Sequence, residues 1–262
     1  MCPNHTSQRG FAAAERNCFD PLQKTVSLLV VDNDLKQLEW YSDNLSAHPL
    51  ISVRLASTAR QAECAIQHTI PGLCIIDFGM DDLEQDEFHL LKKHAHHLPI
   101  IIISGSSDIE RAFSAAIFGA AGMIAKPPDL ASRKFWRIIM DMFLNWNILP
   151  PMRNPVNPQL RECCRIVREE LPENVSEWAH KAGITDAYLR RLWTTCLSRH
   201  PKHVLFMYRL YKNAFEYFTE IYLANTAYQK PCLSGIDMSA SKQWMEYYLL
   251  NIRELVHVTS DN

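Results

Sequence analysis

Five short apolar runs constrain this chain more than anything else in it: SLLVV at 27–31, ISVRL at 51–55, LCII at 73–76, IIII at 100–103 and MIA at 123–125. Runs of this length, bounded by polar residues, read as strands, and a sheet with one wet face would alternate apolar with polar. Four of the five hardly alternate, so both faces of their sheet must be covered. The stretches between and after them (35–45, 59–68, 83–94, 109–119 and 130–146) carry apolar residues at helical spacing. Five strands alternating with five helices predict a doubly wound α/β domain, (βα)5, with a parallel sheet.

That pattern stops near residue 147. The segment 148–159, ILPPMRNPVNPQ, holds Pro150, Pro151, Pro155 and Pro158, a density that opposes helix and strand and stiffens the chain as a linker. No strand-like run follows, eight of the nine tyrosines lie beyond residue 180, and the second half is expected to be all-helical. Residues 1–24 are polar and aperiodic and read as an extension. At about 100–200 residues per domain, the length fits two domains, 25–147 and 160–262, joined by 148–159. With 47% hydrophobic and 21% charged residues the chain is not disordered as a whole, and eight glycines exclude a fibrous architecture. Eight cysteines without CxxC spacing, adjacent Cys163 and Cys164 among them, read as core thiols of a reducing compartment. There is no signal-peptide run and no apolar stretch near ~20 residues, so a cytoplasmic protein with no membrane association is expected.

In an open parallel sheet, ligands bind beyond the carboxyl ends of the strands, and the residues expected there form an ordered set. Strand 1 ends in Asp32, Asn33 and Asp34, strand 3 in Asp77, strand 4 in Ser104 and Gly105, and strand 5 in Lys126 and Pro127. Carboxylate, amide and carbonyl oxygens suit Mg2+, while a hydroxyl and an ammonium suit a phosphoryl group whose charge needs neutralising. A lone strand-end aspartate is more often a helix cap; four residues, each closing its own strand, are a stronger signal. The segments LLVVDND, GLCIIDFGM, PIIIISGS and GAAGMIAKP resemble the response-regulator receiver (CheY-like) domains of two-component systems, over essentially all of 25–147. The resemblance implies that Asp77 is the phosphoacceptor, with Asp32, Asn33, Ser104 and Lys126 around it. It also implies Mg2+ held by Asp32, Asn33, Asp77 and the backbone carbonyl of Gly79. Three positions depart from the family pattern. Asn33 removes one negative charge from the metal site and weakens Mg2+ binding; Met123 stands where an aromatic is usual; Asp81 replaces the proline usual after Met80.

Further on, ENVSEWAHKAGITDAYLRRLWTTCL at 173–197 has helix-turn-helix spacing. Ser176 is a candidate cap for a first helix, Gly183 supplies the turn, and Thr185 caps the second helix. Leu189, Leu192, Trp193 and Cys196 form a buried stripe on that helix. Ala187, Arg190, Arg191, Thr194 and Ser198 lie outside it, where arginine and threonine suit major-groove edges and phosphates. From about 160 onward the chain resembles the AraC/XylS-type DNA-binding domain, two helix-turn-helix units joined by a long helix. VSEWAHKAGITDAYLRRLW matches the first unit and HPKHVLFMYRLYKNAFEYF the connecting helix. The resemblance implies base contacts from Arg190 and Arg191, with Ala187 one turn earlier. The second unit, GIDMSASKQWMEYY, keeps Gly235, Trp244 and Tyr248 but carries Glu246 at the place of Arg191. Residues 160–213 hold ten Lys and Arg against six Asp and Glu, whereas 214–262 hold three against six. Phosphate neutralisation drives much of DNA affinity, so the first unit is expected to bind, with Lys202, Arg209 and Lys212 as phosphate contacts.

These readings converge on a DNA-binding transcriptional response regulator and not an enzyme, with no catalytic residues. Phosphorylation of Asp77 by a sensor histidine kinase is expected to change dimerisation, and with it occupancy of double-stranded promoter DNA by a homodimer. One alternative is a transcription factor with a degenerate, phosphorylation-independent receiver used for dimerisation or docking. Another is a phosphohydrolase of haloacid-dehalogenase type, because LVVDNDL fits that pattern with Asp32 as nucleophile and Asp34 as acid/base; it leaves Asp77 without a role. Two smaller expectations complete the reading. The KKHAHH run at 92–97 is a solvated helix end rather than a metal site, and the very apolar FWRIIMDMFLNW helix is a dimer or inter-domain face.

Overall fold

The computed structural model describes residues 25–78, 88–105, 109–149 and 157–227. The extension at 1–24, Gly79 and Asp81, most of the Pro-rich segment and the expected second helix-turn-helix unit lie outside them. Strands β1 (Val26–Val31), β2 (Ile51–Ala56), β3 (Leu73–Asp77), β4 (Ile100–Ser104) and β5 (Gly122–Ala125) form one parallel sheet in the order β2-β1-β3-β4-β5. Between and after them run α1 (Leu35–Leu45), α2 (Ala59–His68), α3 (His89–His94), α4 (Ile109–Ile117) and α5 (Arg133–Phe143). Polar side chains start three of these helices: Asp34 accepts the Lys36 N–H, Thr58 the Gln61 N–H and Ser132 the Lys134 N–H.

The near-continuous apolar strands are explained by the two cores they feed. Val26, Leu28 and Val30 of β1 face one core with Leu73, Ile75, Ile101 and Ile103. Leu29 and Val31 face the other with Cys74, Ile76, Ile100 and Ile102, covered by Ala62 and Ile66 of α2, Leu90 and Leu91 of α3 and Ala115 of α4. The period of two sends successive residues to opposite faces, and each face is sealed by helices. The 92–97 run corrects the expectation of a solvated end. His94 is buried while Lys92 and Lys93 point outward, and the imidazoles of His94, His97 and His96 form a chain at 3.4 and 3.0 Å.

Beyond the sheet lie α6 (Pro158–Glu170), α7 (Val175–Lys181), α8 (Asp186–Leu197) and the 27-residue α9 (Pro201–Ala227). Pro158, expected in a linker, opens α6. Asn157 caps the helix, and proline is tolerated in the first turn because its missing N–H would have no partner there. These helices share a core with one face of the sheet. α5 runs on into a π-helical turn over Leu144–Ile148, and the buried Asn147 amide donates to Gly72 O and Phe143 O, at 2.8 and 2.9 Å. Phe143 meets Tyr211 of α9 at 5.4 Å between ring centroids. His48, in the α1–β2 connection, stacks on Trp136 of α5 at 4.7 Å and meets Phe215 of α9 at 4.8 Å. Its Nε2 lies 3.3 Å from Thr219 Oγ1. Arg199, just before α9, donates to the carbonyls of Asn147 and Ile148 at 3.2 Å each, closing the end of the π turn. The apolar α5 is therefore a face between segments. Burying an aromatic side chain of this kind contributes about 1.5–3 kcal/mol. Among the described residues no helix is long and apolar enough to cross a membrane.

Candidate functional site

The strand order reverses between β1 and β3, and the four expected strand-end residues stand at the carboxyl edge of the sheet beside that crevice. Asp32 follows β1, Asp77 closes β3, Ser104 closes β4 and Lys126 follows β5. Register aligns them: Asp77 lies beside Ile103 and Ser104 beside Ala125, and the Lys126 N–H donates to Ser104 O at 2.8 Å. The Lys126 ammonium reaches Asp32 Oδ2 at 2.8 Å and Asp77 Oδ2 at 3.1 Å. Asp32 is fully buried and its Oδ1 accepts the Asp34 N–H at 2.9 Å; the Asp77 side chain is 12% exposed and that of Lys126 20%.

Burial opposes charge on Lys126, but its hydrogen bonds to the two aspartates outweigh that and hold its pKa above the ordinary lysine value. Tyr41 of α1, buried alongside, is pushed upward by burial and then by the negative charges of Asp32 and Asp77. One ammonium against two converging carboxylates leaves negative charge, and oxygen donors of this kind fit a hard divalent cation. Among the described residues no cluster of three or more His, Cys, Asp and Glu side chains gathers to hold a metal. The donor set here is two carboxylates plus the half-buried Asn33, and Gly79 lies outside the described residues. Asp34, the acid/base of the phosphohydrolase alternative, is exposed and spends its Oδ1 on the N-terminus of α1. Met123, at the position usual for an aromatic, is partly exposed on the edge strand.

The second constellation is α7, the turn and α8. Gly183 takes φ +66°, a left-handed conformation that costs a glycine nothing, and Thr185 caps α8 by accepting the Tyr188 N–H at 3.2 Å. Trp178 and Trp193 meet at 5.0 Å in the buried angle between the helices, and Trp178 Nε1 donates to Cys163 O at 2.9 Å. Two expectations change. The α7 cap is Asn174, which accepts the Glu177 N–H at 2.9 Å, while Ser176 Oγ donates to Asp186 Oδ2 and ties α7 to α8. Cys196 is exposed, because Leu189, Leu192 and Trp193 already complete the buried stripe; Leu197 adds a half-buried edge.

Ala187, Arg190, Arg191 and Thr194 are all exposed on α8, and Lys202 is exposed at the start of α9. Arg191 stands 5.2 Å over the Tyr188 ring, and the Thr194 hydroxyl donates to Arg190 O at 2.8 Å. Arg209 departs from the expected phosphate contact. It is half-buried and its guanidinium donates to Glu173 O at 2.8 Å and Leu171 O at 3.4 Å, satisfying carbonyls of the α6–α7 connection. Lys212 is half-buried and lines a cleft beside α5 and α6, apart from the exposed α8 residues. Sequence reasoning missed Arg199 and His48, whose partners lie 51 and 171 positions away; neither carries a local signal.

Residues 28–133 match the response regulator receiver domain family. The chain is 28% identical over 122 residues to a protein-glutamate methylesterase/protein-glutamine glutaminase of Geobacillus kaustophilus (strain HTA426), covering 45% of this chain and 35% of that protein. A second such protein, from Paramagnetospirillum magneticum (strain ATCC 700264 / AMB-1), is 28% identical over 123 residues, covering 44% and 32%. The chain thus spans about a third of the length of these relatives. Among solved structures it is similar to the receiver domain of NtrX from Brucella abortus, at 32% identity and a TM-score of 0.37 over 44% of this chain and 92% of that one. It is also similar to a CheY-like receiver domain protein from Methanospirillum hungatei JF-1, at 22% identity and a TM-score of 0.41 over 45% and 94%.

Proposed function

We propose that this chain, whose residues 28–133 carry a response regulator receiver domain, is a transcriptional regulator. Asp77 accepts a phosphoryl group from a sensor histidine kinase, and the α7–α8 helix-turn-helix, of AraC/XylS type, binds double-stranded promoter DNA. The observation that carries the first half is the Lys126 ammonium shared by Asp32 and Asp77 at the switch point. A carboxylate oxygen of Asp77 attacks phosphorus, the bond from phosphorus to the donor breaks, and an acyl phosphate forms. Lys126, held charged by its partners, offsets the phosphoryl oxygens, and Ser104 closes the neighbouring strand. Asp32, Asp77 and the Asn33 amide oxygen would hold Mg2+, which would supply further neutralisation. For DNA, the exposed Arg190, Arg191 and Thr194 on one buried-faced helix support major-groove docking.

Asn33 favours a second reading, a receiver used without phosphorylation as a dimerisation or docking module. One experiment separates the two. Incubation with acetyl phosphate and Mg2+ is expected to add about 80 Da, one phosphoryl group, to the wild type and not to Asp77→Ala. No adduct on the wild type overturns the phosphoacceptor role and leaves the docking reading. Selection of binding sites from random duplex DNA tests the other half; Arg191→Ala is expected to lose selective binding, and a wild type that selects nothing refutes it.

A further inference from the structure

A cleft of about 1150 Å³ lies along the seam where α5 meets α6 and α9, and none of its lining residues belongs to the Asp77 site or to α8. α6 lines it with Arg161, Arg165 and Arg168, whose i, i+4, i+7 spacing places them on one helix face. Part of the charge in the cleft is neutralised in place. Arg133 pairs with Glu220 at 2.6 Å, Arg137 with Asp141 at 3.8 Å, and Arg165 with Glu162 and Glu169. Arg161, Arg168 and Lys212 form no ion pair with any described residue, and of the lining carboxylates Glu216 alone is in the same state among them. Six cations and five carboxylates line the cleft, and Lys212 also acts electrostatically on Asp141, so the excess of positive charge is one, and Arg161 and Arg168 are the cations without a carboxylate among the described residues. Trp136, Met140, Tyr208 and Phe215, all buried, make its apolar side. Asn145 also lines it, and its buried Oδ1 has no hydrogen-bond partner among the described residues; buried polar atoms of this kind ordinarily have one.

Excess positive charge beside an aromatic wall selects a ligand that is anionic at one end and flat and apolar at the other. We propose that this cleft binds a small aromatic phosphate ester, its phosphate held by Arg161, Arg168 and Lys212 and its ring against the Trp136–Phe215 side. The cleft is somewhat larger than the roughly 300–1,000 Å³ of ordinary small-molecule sites and has room for such a ligand. Because α5 belongs to the receiver and α6 and α9 to the helical segment, a bound ligand bridges the two and strengthens their seam.

The probe is 1-naphthyl phosphate, titrated calorimetrically into the full chain carrying Asp77→Asn, so that no phosphoryl transfer to Asp77 contributes heat. Saturable binding with a raised Tm is expected. The Arg161→Gln/Arg168→Gln/Lys212→Gln variant should bind at least about tenfold more weakly with an unchanged near-ultraviolet circular dichroism spectrum. Arg161→Gln alone, at an exposed position, should show part of that loss. Uncharged 1-naphthol should bind at least about tenfold more weakly than the phosphate. Equal binding of naphthol and naphthyl phosphate overturns the proposal, because the site is then merely apolar. So does undiminished binding by the triple variant, which places the anion elsewhere, the Lys126 pocket included. Absence of saturable binding overturns it as well.

Discussion

The two faces of the sheet are supplied by alternate residues of the same strands, yet they end differently. Leu29, Val31, Cys74, Ile76, Ile100 and Ile102 meet α2, α3 and α4, and their core stops there. Leu28, Val30, Ile75 and Ile103 meet α1 and α5, and their core continues through Trp136, Phe143 and Phe215 into α6, α7, α8 and α9. The difference lies in α5. Its buried residues, Phe135, Trp136, Ile139, Met140 and Phe143, form one broad apolar stripe, whereas α2 buries Ala62 and Ile66 alone. A narrow stripe finishes a layer; a stripe too broad for the sheet to cover recruits another. The receiver and the α7–α8 unit are thereby parts of one packed body, joined through α5, the π turn and Arg199.

The largest test of this contrast is Trp136→Ala, expected to cost about 3–5 kcal/mol. Amide hydrogen exchange should show β3 and α9 losing protection together; α9 opening while β3 keeps its wild-type protection would show that the shared core does not couple them. The next effect is one of pH. His48 is buried between Trp136 and Phe215, and burial pushes its pKa down from 6.5 to about 3. An unfolded chain takes up that proton first as pH falls, so the contribution of neutral His48 is complete above about 6.5 and is lost progressively toward pH 3, by up to about 1.4 kcal/mol per pH unit. Urea unfolding from pH 7 to 4 should show His48→Leu with a shallower pH dependence than wild type, and parallel curves would remove His48 from the seam. Arg199→Ala leaves two carbonyls at the end of the π turn without their charged donor and should cost about 1–3 kcal/mol; a cost near zero in the same unfolding measurement would mean that water replaces it. Smallest is Arg191→Ala, exposed on α8, expected to move stability within about 0.5 kcal/mol. A larger loss would make Arg191 part of the fold rather than of a binding surface.

Much of the receiver was legible because its signals are local. An apolar run followed by Asp, Ser or Lys states both the strand and what stands at its carboxyl end, and parallel pairing then gathers Asp32, Asp77, Ser104 and Lys126 without further instruction. The α7–α8 turn was equally readable from Gly183 and Thr185. Caps were less so: Asn174 and Ser176 both suit a helix start, and the choice fell to Asn174 because Ser176 could reach Asp186. Arg209 and Lys212 read as surface cations because charge alone says nothing about which carbonyls or clefts come within reach.

The amino-acid order by itself determined the strand and helix periods, the chemistry at each strand end and the turn between α7 and α8, since all of these follow from neighbours within a few residues. Tertiary structure decided that Lys126 bridges two aspartates, that His48 is sealed between α5 and α9, and that the helical segment shares the receiver's core. Those outcomes depend on contacts between residues far apart in the chain, where burial and complementary shape rank the possible partners and local propensity is silent.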